Sequence, residues 1–311
     1  MTLISIVIAL VLEQLHALPV QRVVNGPVAR LAAFLEDKFN DGGRRHGAIA
    51  WWLGVALPAA ALSLAYGLLL HFQALAAFLL GIGVLYLTMG FRQFSHFFTD
   101  IQVALQLGEV EQARQLLAQW RGRAGDRLNA SEIARLAIEQ ALLSSHRHVS
   151  APLLCFAVLG PGGVLLYRLA HSFDQLWGQR GEIEFGEFGQ FTHRAFALID
   201  WVPLRVTAAA FAVVGDFEDA VHCWRNQADQ WPNGGSGILL ASGAGALGVR
   251  LGMPVHDVIQ DTGDVSDRPE LGLGEDADPD FMQSTIGLVW RSLVLGLAVL
   301  ALVWISSWVG G

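Results

Sequence analysis

The chain has 311 residues, of which 53% are hydrophobic and only 15% charged, with 10 Trp. Typical soluble domains carry roughly 25% charged residues, so this composition excludes an ordinary water-facing surface and points to lipid as the solvent for the apolar side chains. The net charge of −8, with no basic stripe, excludes a nucleic-acid partner, and Cys155 and Cys223 lack the CxxC spacing of a structural zinc site or disulfide framework.

Residues 2–12 are apolar but run into Glu13 and His16. They form either a short span or a helix lying in the interface. No basic n-region or A-x-A pattern marks them as a cleavable signal. Residues 48–70, "AIAWWLGVALPAAALSLAYGLLL", carry no charge. They are long enough to cross a core of about 30 Å, with Trp51 and Trp52 at the headgroup level. Residues 74–90 predict a second span, and the short intervening turn makes the pair an antiparallel hairpin.

Residues 104–142 read as amphipathic helices. Leu105, Val110, Ala113, Leu116, Leu117 and Trp120 recur at helical spacing. Asn129 or Ser131 caps the segment "SEIARLAIEQALL". The pair predicts a helical hairpin that packs its greasy face on neighbouring helices, in preference to a separate binding module. "SSHRHVSAPLL" follows. His146 and His148 are two apart, so on a helix they face different ways and do not easily share a metal, whereas in a loop they could. They are either an altered polar site or a collar marking where the next apolar segment begins.

Residues 151–170 are interrupted by "GPGG" at 160–163, and residues 198–214 hold Asp200, Pro203 and Arg205. Each either spans or dips in and returns, since irregular backbone at membrane depth must be shielded by protein or line a polar cavity. "WPNGGSG" at 231–237 predicts either a turn presenting backbone N–H groups to an anion or, with "ASGAGALG" at 241–248, close helix packing. It lacks the Lys-Ser/Thr ending of a P-loop. Residues 256–280 hold nine acids against Arg268, a solvated loop or a weak divalent-cation site. Residues 286–309 are a further span, with Trp304 and Trp308 near its end and Arg291 able to snorkel.

Seven Arg in residues 91–150, and five basic residues in 19–47, place both stretches in the cytoplasm by the positive-inside rule. The expected architecture is all-α. It is a polytopic membrane helical bundle, with a single integral membrane domain over 1–311. Amphipathic cytoplasmic helices occupy 91–150, and a Gly-rich and acidic loop region occupies 215–285. The expected partner is the lipid bilayer, and the expected location is the bacterial inner membrane, crossed several times.

Several stretches, in this order over about residues 100–300, resemble the CobD/CbiB cobalamin-biosynthesis family. They are "GEVEQARQLLAQWRGR…LNASEIARLAIEQ", "APLL…LGPGGVLLYRLAHSFDQLWG", "WVPLRVTAAAFA", "WPNGGSG…AGALGVRLG" and "RPELGLG". The ends, "MTLISIVIALVLEQL" and "LIDWVPLR…AVVGDFEDAVHCW", look more like AmpE, a membrane protein of the same superfamily linked to β-lactamase induction. The CobD/CbiB resemblance implies an amide synthase of cobamide biosynthesis. Such an enzyme joins a corrinoid substrate, adenosylcobyric acid, to an aminopropanol-type linker with ATP and a divalent metal such as magnesium. It leaves Glu139 and Asp174 as catalytic candidates and Asn233, Gly234, Gly235, Arg250 and Arg205 as substrate-binding candidates, and assigns no metal ligand. The chain departs from the family pattern at "SSHRHVSAPLL" and "GQRGEIEFGEFG", where expected acids are absent. The alternative implied by AmpE is a non-catalytic membrane sensor or regulatory factor.

Overall fold

A computed structural model describes residues 2–16, 24–122, 127–180, 185–232, 234–255 and 268–309. In chain order the helices are α1 (Thr2–Leu15), α2 (Gly26–Phe39), α3 (Arg44–Trp51), α4 (Leu57–Phe72), α5 (Ala74–Thr88), α6 (Phe91–Gln106), α7 (Val110–Arg121), α8 (Ala130–Ser145), α9 (Ala151–Phe173), α10 (Phe188–Val214), α11 (Phe217–Gln227) and α12 (Gly234–Leu247). Three short strands follow, β1 (Val249–Gly252), β2 (Glu270–Leu271) and β3 (Glu275–Asp276), and then α13 (Pro279–Val309). The all-α membrane bundle is therefore realised, with one small sheet added. The chain expected as one domain resolves into two compact units, 1–90 with 148–203 and 91–147 with 204–311.

Among the described residues, four helical runs are long and apolar enough to cross a membrane: Arg44–Phe72, Ala130–Gly178, Phe188–Val214 and Pro279–Ser306. Leu64, Leu68, Val158, Leu198, Leu302 and Val303 are exposed on them, as lipid-facing side chains should be. The protein is thus multi-pass, with apolar surface turned to the bilayer. α1 and α5 are apolar but short, at 14 and 15 residues, against the roughly 20 a straight crossing needs.

In the first unit, α3 continues through a π-helical turn at Trp52–Ala56 into α4. Small residues let the helices meet closely. A Cβ on Gly162 of α9 would run into Ser63 and come 2.9 Å from the Ala59 carbonyl oxygen, both on α4. The break expected at "GPGG" falls on Gly160, whose φ of 68° and ψ of −160° interrupt α9. Pro161 has no N–H to continue the ladder, and glycine takes the left-handed φ at little cost. Asp200 and Pro203 sit inside the unbroken 27-residue helix α10.

In the second unit, α6, α7 and α8 pack their apolar faces into a core with Phe211, Leu239 and Met282, the packing expected for 104–142. Asn129 caps α8 through a capping box. Its side chain accepts from the Glu132 N–H at 2.9 Å, and the Glu132 carboxylate accepts from the Asn129 N–H at 2.8 Å. The 215–285 region, expected as loop, contains α11, α12 and the sheet. The small residues of "ASGAGALG" act as packing positions there: a Cβ on Gly243 would lie 2.8 Å from Leu142, and one on Gly245 would lie 2.5 Å from the Asp219 carbonyl oxygen. β1 is central, antiparallel to β2 with Leu251 opposite Leu271, and parallel to β3 with Arg250 opposite Asp276.

Candidate functional site

The second unit holds a buried charge cluster built on α8. Arg135 and Glu139 are four apart, so both project from one face of the helix. They are 6% and 6% exposed. The face meets Gly252, the last residue of β1. The Gly252 N–H donates to Glu139 Oε1 at 2.9 Å. The Gly252 carbonyl accepts from Arg135 Nη1 at 3.3 Å and from Arg268 Nη2 at 3.0 Å. Arg268 also forks onto Glu139, with Nη1 to Oε2 at 2.7 Å and Nη2 to Oε1 at 3.2 Å. Its guanidinium lies 5.5 Å from the centre of the Trp231 ring, three residues before α12. Only glycine fits at 252: its φ is +70°, and a Cβ would collide with the Pro269 carbonyl.

Among the described residues the cluster has one carboxylate for two guanidiniums. Arg135 bonds to a peptide carbonyl, and among the same residues the buried Nε atoms of Arg135 and Arg268 have no hydrogen-bond partner. Buried ions are favourable only when paired and fully bonded, so surplus positive charge and spare donors suit an anionic ligand such as a carboxylate or phosphate.

The sequence-derived candidates are distributed as follows. Glu139 is in the cluster, and its counter-charge there is Arg268. Arg250 reaches Asp276 at 3.0 Å and Glu270 at 3.8 Å, a partly exposed tie across the sheet. Arg205 is half-buried on α10. Gly234 and Gly235 form the first turn of α12; Asn233 and the acids of 257–267 lie outside the described residues. Asp174 belongs to the first unit, is 4% exposed and pairs with His193 Nδ1 at 3.0 Å. An open cavity of about 570 Å³, lined by residues including Arg44, Arg45, His46 and Glu187, takes in none of these candidates.

In the His146-Arg147-His148 stretch His146 is buried, and Arg147 and His148 are half-buried. His146 is 1% exposed and bonds Thr207 Oγ1 at 2.9 Å. His148 bonds Arg168 at 2.8 Å. The two rings have separate partners, as their spacing predicts. Sequence reasoning missed Arg135, Arg268, His193 and Arg168. Arg135 was legible as the i−4 neighbour of Glu139; the others reach their partners from distant segments.

Residues 6–289 match the family described as CobD/Cbib protein. A relative from Stutzerimonas stutzeri (strain A1501), named cobalamin biosynthesis protein CobD, is 35% identical over 302 residues, 96% of each chain. The chain belongs to the CobD/Cbib family. A CobD of Chromobacterium violaceum is 32% identical over 225 residues, 70% of each chain. The CobD of Mycobacterium tuberculosis (strain H37Rv) is 32% identical over 209 residues, 65% of this chain and 64% of the relative. These CobD matches do not favour the AmpE-like alternative. No solved structure matches the chain.

Proposed function

We propose that this CobD-family protein is an inner-membrane amide synthase of cobalamin biosynthesis, an adenosylcobinamide-phosphate synthase. It condenses the carboxylate of adenosylcobyric acid with the amine of a phosphorylated aminopropanol-type linker, with ATP as energy source. The similarity to a CobD across 96% of both chains carries the reading. The cluster around Gly252 supports it chemically, because every substrate is anionic and amide formation develops negative charge on oxygen.

In this reading Arg135 supplies the spare charge that draws a substrate carboxylate or phosphate. Glu139 is a positioning residue: both of its oxygens are held, and it fixes the fork of Arg268 against Trp231. Among the described residues no group of three or more His, Cys, Asp or Glu side chains is arranged to hold a metal, and Glu139 is already engaged. In this reading magnesium enters as the counter-ion of ATP.

The test uses purified full-length protein with adenosylcobyric acid, aminopropanol phosphate, ATP and magnesium, followed by mass detection of the amide. Product that falls at least tenfold in Arg135→Gln is the expected result. Absence of product, together with absence of corrinoid binding, overturns the reading.

A further inference from the structure

The first unit carries an open cavity that the reading above does not use. It holds about 570 Å³ and is lined by residues including Arg44, Arg45 and His46 of α3, together with Glu187 and Phe191. Phe191 stands on α10, and Trp51 of α3 packs edge-on against it, ring centres 5.6 Å apart. A Cβ on Gly47 would collide with the Phe188 carbonyl oxygen, so α3 meets the start of α10 at backbone contact. The Glu187 N–H donates to the Gly42 carbonyl at 3.0 Å.

The charges around the cavity do not balance. Asp41 is engaged locally: Oδ1 accepts the Gly43 N–H at 2.9 Å, and Oδ2 meets His46 Nδ1 at 2.6 Å. Glu36 of α2 is bridged to Arg180 at 3.2 Å, and Arg180 lies over the Phe185 ring at 4.7 Å. Glu187 is the carboxylate on the lining. Among the described residues neither Arg44 nor Arg45 has an ion pair or a side-chain hydrogen bond, and both are exposed. Two guanidiniums less one carboxylate leave a single positive charge, with two forks of N–H donors unused.

Where α3 leads decides which anion fits. Arg44–Phe72 is long and apolar enough to cross a membrane. Ile49, Trp52, Leu53 and Leu57 are exposed along it, so its lipid-facing side begins one turn after Arg45. Four residues of helix rise about 6 Å, which matches the roughly 5–7 Å of headgroup layer outside the hydrocarbon. On α2, Leu31 and Phe34 are exposed, and Lys38 Nζ lies 4.7 Å from the centre of the Phe34 ring. Apolar side chains beside snorkelling bases suit a helix lying in the interface.

We propose that this cavity binds the headgroup of an anionic phospholipid, with Arg44 and Arg45 holding its phosphodiester. A guanidinium meets phosphate through paired N–H···O bonds, and one phosphodiester cancels the single surplus charge. A zwitterionic lipid has the same phosphate but brings a cation, which the arginines repel. The volume is far more than one phosphate fills and lies in the range of sites for organic ligands, which leaves room for the rest of the headgroup. Soluble phosphate shares the chemistry but not the depth, and the test separates the two.

Full-length protein in a neutral detergent is titrated with phosphatidylglycerol or phosphatidylcholine, and the lipid-bound fraction is read by native mass spectrometry. The wild type is expected to bind phosphatidylglycerol about tenfold or more tightly than phosphatidylcholine. Arg44→Gln/Arg45→Gln is expected to lose most of that preference. Arg44→Lys/Arg45→Lys keeps the charge but not the fork and is expected to retain part of it. Glu187→Gln removes the carboxylate from the lining and is expected to tighten binding. Arg30→Gln/Lys38→Gln removes two exposed charges of the same basic stretch, away from the cavity, and is expected to leave the preference within about twofold of the wild type. All the substituted side chains are exposed, so every variant is expected to melt within about 2 °C of the wild type. Equal losses in the two double Gln variants would mean a diffuse basic collar and overturn the proposal, as would a wild type without preference. Inorganic phosphate that displaces the lipid at equal concentration and matched ionic strength overturns the lipid as the occupant.

Discussion

Burial decides what each arginine is worth. The Glu139–Arg268 pair has side chains 8% and 16% exposed, so removing one partner strands a charge inside the second unit. Glu139→Gln is expected to destabilise the protein by about 3 kcal/mol, measured by chemical denaturation in a fixed detergent. Arg250, 36% exposed beside partners exposed by more than half, makes a solvent-screened bridge. Arg250→Ala is expected to cost less than about 1 kcal/mol in the same measurement. Equal losses for the two variants would show that the cluster is not the buried centre described above.

At the scale of the element, local signals and long-range packing act on different helices. The start of α8 is fixed locally, by Asn129 and Glu132, and Asn129→Ala is expected to cost about 1 kcal/mol. α12 is fixed by what it touches. Gly245 leaves 2.5 Å between a built Cβ and the Asp219 carbonyl oxygen of α11, which is backbone and cannot rotate away. Gly245→Ala is therefore expected to cost about 2 kcal/mol or more, and a thermal melt of each variant would order the two. The cap of α8 was readable because it lies within four residues of sequence. The pairing of Gly245 with α11 was not, because a run of small residues fits a phosphate-facing turn as well as a tight helix contact.

For the whole molecule, the basic excess of 91–150 predicts a cytoplasmic location. Gln119, exposed on α7, is the position to test it. Gln119→Cys is expected to resist an impermeant thiol reagent in intact cells and to react after the membrane is opened. Rapid labelling from outside would reverse the orientation. The native background is expected to be silent. Cys155 and Cys223 are both buried. Burial, the largest cause, pushes the Cys223 thiol up to about 11, so it stays protonated near pH 7.5, and only a thiolate reacts readily.

What the sequence determined by itself were the properties that depend on composition and short range: the lipid-facing class, the apolar runs, a break within "GPGG" at 160–163, a cap at Asn129 or Ser131, and the family. Each is set by a contiguous stretch of side chains or by a single backbone restriction. The tertiary structure alone decided the pairings. Arg268 was one base in an acidic run until the fold brought it onto Glu139, 129 residues away. Arg168 was one cation in a helix until Asn25, 143 residues away, closed on it. A charge buried in apolar surroundings must find its partner wherever the chain returns, and no local pattern records that place.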